Sequence, residues 1–143
     1  MRISAKKMLA IVWASPWSCL GLLLGLIAIL TGGGLQWRHG VLEFHGGILR
    51  PLLQRVPILG GASAVTLGHT TLGRNLHDLQ RCKDHECVHV AQYERWGPLF
   101  VPVYFLCSLW AWLTGRRAYR DNPFEREAYT KAPVHYHDDP SLS

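Results

Sequence analysis

Two histidines four residues apart, with a glutamate directly after the first, form the run His85-Glu86-Cys87-Val88-His89. On a helix, positions i and i+4 share one face one turn apart, so both imidazoles can reach a single Zn²⁺. Glu86 points beside that face, where a carboxylate can take a proton from water activated by the metal. Cys87 and Val88 point away, which predicts a packed Cys87 that is not a ligand. The chain has eight histidines and five glutamates, so chance expects about 0.015 such patterns. That number is small, but the pattern still needs a helical setting to carry meaning.

A catalytic zinc takes three protein ligands and keeps a fourth position open. The third ligand must come from further along the chain. Glu125 and Glu127, in Asn122-Pro123-Phe124-Glu125-Arg126-Glu127-Ala128-Tyr129, are the only glutamates after residue 94. Two apart on a helix they face different directions, so only one should bind. The plainer reading of both is solvent-facing acids at a helix start, favourable near the helix dipole. His69 could stabilise a developing oxyanion; its plainer reading is an ordinary strand histidine. Tyr93, Tyr104, Tyr119 and Tyr129 could do the same work, and nothing in the sequence selects one. Asn122 could orient a ligand or simply open a helix. His135, His137, Asp138 and Asp139 could bind a metal loosely, but read more plainly as a polar tail with no role, and His45 and His77 as structural.

The elements that must position these residues follow from pattern. Residues 76–96 hold no proline or glycine and stop at Gly97-Pro98, which predicts a helix capped by Asn75 or Asp78. Residues 40–47 alternate and end in glycines, which predicts a short strand. Residues 50–61, with Pro51, Pro57, Gly60 and Gly61, read as a loop with turns. Residues 63–72 read as a second strand, with Val65, Leu67, His69 and Thr71 on one face by the period of two. Pro123 opens another helix over 123–130. From Pro133 the chain is polar and reads as a frayed tail.

Residues 8–30 carry no charge over 23 positions, and about 20 apolar residues suffice to cross a bilayer as a helix. A cleaved signal peptide is the rival reading, but the run is long and no clear A-x-A site follows it. Arg2, Lys6 and Lys7 precede the run and only Arg38 follows closely, so the positive-inside rule leaves the N-terminus cytoplasmic and the domain outside. Residues 97–114 form a second uncharged stretch, ended by Arg116 and Arg117. A simple span there would put His85 and Glu125 on opposite sides of the membrane. The stretch therefore reads as a re-entrant, interfacial or core helix that brings the chain back. Trp110 and Trp112 suit a membrane interface or, equally, a packed core. The net charge is +5, but the basic residues are spread along the chain and not interleaved with aromatics, which argues against nucleic acid. The four cysteines form no C-x-x-C and indicate no disulfide framework.

The H-E-x-x-H run followed by a glutamate on a later helix resembles the gluzincin branch of the zincin metallopeptidases. In membrane-bound gluzincins the third ligand lies in an F-E-x-x-A-like segment, which Phe124-Glu125-Arg126-Glu127-Ala128 fits; the resemblance therefore favours Glu125. An aspartate often follows that alanine, and here it is Tyr129. The run from Gly68-His69 through 85–97 to 122–128 is also similar to small bacterial membrane proteins of minimal gluzincin type. The expectation is an α+β chain in three parts: a membrane anchor over 1–34, a zincin-like metal-binding domain over 35–132, and a polar tail over 133–143. The resemblance implies a zinc metallopeptidase of the bacterial inner membrane. Its ligands would be His85, His89 and Glu125, with Glu86 as base, acting on a peptide or protein. A domain this short has little material for specificity pockets, so a partner or a second copy could complete the cleft. The alternatives are a zinc-stabilised membrane protein without activity, and a metal-free scaffold working through 97–114.

Overall fold

A computed structural model describes residues 3–56 and 62–134. The element order is α1 (Ala5–Leu30), β1 (Gly34–Arg38), β2 (Val41–His45), α2 (Leu49–Gln54), β3 (Ala64–Leu67), β4 (Thr70–Gly73), α3 (Leu76–Trp96), α4 (Phe100–Leu113) and α5 (Pro123–Lys131). The chain is thus α+β. A single 3-10 turn, Gly97–Leu99, joins α3 to α4.

The strands form one mixed sheet in the order β1-β2-β4-β3, with β2 parallel to β4 and both hairpins antiparallel. Register sorts its side chains into two faces. Phe44, Leu72 and Val65 lie across one row, and Leu42, Thr70 and Leu67 across the next. These rows face α1 and α2 and close a core with Ala28, Leu49 and Leu53. Glu43, Thr71 and Thr66 lie between them in sequence and so point the other way. That second face receives α3, where Thr66 Oγ1 donates to Glu86 Oε2 at 2.6 Å.

Helix α1 packs along the sheet through small residues. Ala14, Gly21, Gly25 and Ala28 are its buried positions. Their spacing keeps them on one stripe of the helix, where missing side chains let backbones approach closely. A Cβ on Gly21 would fall on the Thr70 hydroxyl, and one on Gly25 on the Phe44 ring. The opposite face of α1 is exposed and apolar, with Leu9, Leu23, Leu26 and Leu30 among its residues.

Three expectations need correction. Residues 63–72 are not one strand: Gly68 takes φ 61° and turns the chain into the β3–β4 hairpin. His69 therefore sits in the turn, and Thr71 lies on the opposite face from Val65 and Leu67. Residues 50–54 of the expected loop belong to helix α2, with Pro51 tolerated in its first turn; 57–61 lie outside the described residues, as does the tail from 135. Strand β1, pairing with β2, was not foreseen. Its two-residue turn uses His39 at φ 50° and Gly40 at φ 82°, the left-handed pair that a tight hairpin needs.

Helix α3 forms where expected. Asn75 caps it by accepting from the Asp78 amide at 2.8 Å. Gly97 ends it at φ 56°, with the Trp13 indole against its Cα. Helix α4 has 14 residues, about 21 Å of helix against a hydrocarbon core of about 30 Å. The chain then comes back: Asn122 Nδ2 donates to Tyr104 O at 2.9 Å and to Ser108 Oγ at 2.8 Å. Helix α5 is thereby returned to α3, with Gln92 Nε2 donating to Phe124 O at 3.0 Å. Residues 97–114 are an excursion after which Glu125 Oε2 comes to 3.2 Å from His85 Nε2. Trp110 and Trp112 are 67% and 65% exposed, which excludes core packing for both. Among the described residues, two helical segments are long and apolar enough to cross a membrane, Ala5–Leu30 and Leu76–Leu113.

Candidate metal centre

His85, Glu86 and His89 are all buried on one side of α3, at 4%, 6% and 7% exposure. Cys87 is exposed. The expectation that it packs fails, because the helical positions that turn inward here are 82, 85, 86, 89 and 90. Glu125 enters from the first turn of α5 and is 3% exposed. Asn122 places that turn: it is fully buried, and its side chain caps α5 by accepting from the Phe124 amide at 3.0 Å. Pro123 follows at the first helical position, where no backbone donor is needed.

The ligand atoms of His85, His89 and Glu125 lie within 4.8 Å of one another. His85 Nε2 and His89 Nε2 are 3.3 Å apart. Glu125 Oε2 is 3.2 Å from His85 Nε2, and Oε1 is 3.4 Å from His89 Nε2. A tetrahedral zinc with bonds of about 2.0–2.1 Å has ligand-to-ligand edges of about 3.3–3.4 Å. The two histidine nitrogens sit at that separation, and a carboxylate oxygen of Glu125 lies close to that distance from each, so these residues fit a zinc ion.

The charge balance suits a cation. Burial alone would lower the His89 pKa, but hydrogen bonding to Glu125 and the charges of Glu86 and Glu125 raise it to about 9. Burial alone would raise the Glu125 carboxyl. Hydrogen bonds from His85 and His89, the His89 charge and the Tyr104 hydroxyl instead hold it down to about 2. Tyr104 OH donates to Glu125 Oε1 at 2.7 Å.

Gln92, three residues after His89, was missed in the sequence. It is fully buried. Its Nε2 donates to Phe124 O and to Glu127 Oε2, at 3.0 and 2.9 Å. The amide oxygen must then be the atom 2.8 Å from His89 Nδ1, so Nδ1 donates and Nε2 is left to face the ligand cluster. One side chain both orients a candidate ligand and ties α3 to the helix carrying Glu125. Gln92→Leu is expected to weaken zinc binding about 10–100-fold, the usual loss for a ligand-orienting partner. Competition against a chelator of known affinity reads this directly, and an unchanged affinity would remove Gln92 from the account.

The remaining candidates are dispersed. Glu127 stands apart from the cluster and pairs with Arg95 at 2.8 Å and Lys131 at 2.6 Å. His69 Nε2 is 2.9 Å from Glu94 Oε1, and Lys7 pairs with the same carboxylate. Tyr93 OH donates to Thr66 O at 3.0 Å, and the Tyr119 and Tyr129 hydroxyls lie 3.2 Å from each other. A cavity of about 420 Å³ adjoins the cluster, and Glu86, His89, Glu125, Tyr104 and Tyr119 line one part of it. His69 does not line it. The chain matches no protein-family model, no curated protein and no solved structure.

Proposed function

We propose that this chain is a membrane-anchored, zinc-dependent metallopeptidase of gluzincin type. The observation that carries the reading is the cluster of His85, His89 and Glu125 at a spacing that suits one zinc ion, with His89 and Glu125 lining a cavity together with Glu86. Zinc held there supplies a Lewis acid for a carbonyl and lowers the pKa of water. Glu86 takes a proton from the attacking water and passes it to the leaving amine as the carbon–nitrogen bond breaks. The Thr66 hydroxyl donates to Glu86 Oε2 and holds its carboxylate in place. Tyr104 and Gln92 hold Glu125 and His89. Thr66 also places β3, an edge strand of the sheet, beside the base; such an edge can pair with an extended peptide.

A purely structural zinc site closes with four protein ligands. Among the described residues the cluster has three, which favours a site that keeps one position for chemistry. Anchoring rests on α1, with the excursion through α4 dipping into the same membrane from one side. Chelation with 1,10-phenanthroline is expected to stop cleavage of a quenched fluorescent peptide library, and zinc add-back to restore it. Cleavage that survives complete removal of metal would rule the reading out.

A further inference from the structure

The polar lining of the cavity beside the cluster is Glu86, His89 and Glu125 with Thr66, Tyr93, Tyr104 and Tyr119. Contacts join most of it into one group: Thr66 to Glu86 and Tyr93, and Tyr104 and His89 to Glu125. The apolar lining includes Leu53 and Val56 after β2, Val65 on β3, Trp17 and Leu24 on α1, and Val101 on α4. Among the described residues, no charged side chain lines the cavity apart from two members of the cluster and the base. A charged substrate side chain would be desolvated there without a partner, at a large cost. The volume of about 420 Å³ falls in the range of cavities that enclose a ligand, about 300–1,000 Å³.

The position of this apolar lining is equally informative. Trp17 and Leu24 belong to the uncharged run 8–30, the stretch of α1 long enough to cross a bilayer. Phe105, on α4, is half exposed and also lines the cavity, as does Leu52 on α2. Next to these rim residues, Leu20 and Leu23 on α1 and Leu106 and Leu109 on α4 are exposed. Apolar surface therefore runs without a charged break from the outer faces of both membrane-suited helices into the cavity. If α1 lies in the bilayer, this wall lies at the depth of the acyl chains.

We infer that the site takes an apolar polypeptide segment, presented from within the bilayer between α1 and α4. Bulky aliphatic or aromatic side chains of that segment fill the cavity next to the cleaved bond. This rests on the metallopeptidase reading for the fate of the segment, but not for its binding.

The test uses the full-length, zinc-loaded chain carrying Glu86→Gln, in nanodiscs, so that a bound peptide stays intact. Two fluorescein-labelled peptides of equal length and charge are compared by anisotropy, one with a central block of leucines and one with serines in their place. The leucine peptide should bind at least about 10-fold more tightly, the smaller end of what burying one leucine side chain is worth. Leu24→Trp, which fills the cavity from α1, should abolish that preference while zinc content stays at one per chain. Phe105→Trp serves the same purpose from α4 if Leu24→Trp does not fold. Equal binding of the two peptides, or a preference unchanged in both filled variants, would overturn the proposal. Displacement of the leucine peptide by a short-chain phospholipid at equal concentration would also overturn it, by making an acyl chain the occupant. A wild-type protein that binds the leucine peptide by these criteria but cleaves nothing would leave the apolar site standing and sink the hydrolase. Cleavage of both peptides at the same rate would do the reverse.

Discussion

Glu86→Gln is expected to keep zinc and lose hydrolysis, with kcat falling about 10²–10⁴-fold, the usual contribution of a positioned general base. The replacement is close to isosteric. The glutamine carbonyl can still accept from the Thr66 hydroxyl, which lies 2.6 Å from Glu86 Oε2, so the contact between α3 and β3 survives. Glu86 is also not one of the three clustered ligands, so metal content should be that of the wild type. What the variant lacks is a group that can accept a proton. A steady-state assay beside elemental analysis separates the two effects. Hydrolysis at the wild-type rate with zinc in place would mean that another group moves the proton, and the mechanism would fall.

Glu125→Gln is expected to lower zinc affinity by more than the roughly 10–100-fold that loss of a ligand-orienting partner costs. The carboxylate sits 3.2 and 3.4 Å from the two histidine nitrogens and supplies the only negative charge among the three ligands. The charge that raises His89 to about 9 comes partly from Glu125. The glutamine variant should therefore also move the His89 titration down, which histidine NMR of the metal-free protein can follow. Glu127→Gln is the matched control. Its carboxylate pairs with Arg95 and Lys131 and accepts from Gln92, but does not enter the cluster, so zinc affinity should fall by less than in Glu125→Gln. Equal losses in the two variants would point to a general effect of α5 docking and not to ligation by Glu125.

How much of this was legible depends on the range of the interaction that decides each feature. Helix α3 could be read because its determinants are local: an Asn75 cap, 21 residues free of glycine and proline, and Gly97 as the stop. The spacing of His85, Glu86 and His89 is local for the same reason. The β3–β4 hairpin was not legible, since a glycine within an apolar, β-branched run reads the same whether it continues a strand or turns it. Gly68 turns because α1 approaches it, with the Ala14 carbonyl and Ser18 at its Cα, a contact some 50 residues away in sequence. Strand β1 escaped because it is short, begins with the last of three glycines and alternates against the usual sense, with Leu35 and Trp37 exposed and Gln36 and Arg38 half-buried. The third ligand could be narrowed to two glutamates, but its selection depends on the return of α5 through Asn122, Tyr104 and Ser108. Gln92 left a local signal that went unused: an amide three residues after a candidate ligand lies on the same helical face.

The most direct test is the zinc content of the detergent-purified protein, by elemental mass spectrometry after zinc loading and removal of excess metal. The account predicts close to one zinc per chain in the wild type and essentially none in His89→Ala and Glu125→Ala. A wild-type protein that holds no zinc under those conditions, while folded, would contradict it.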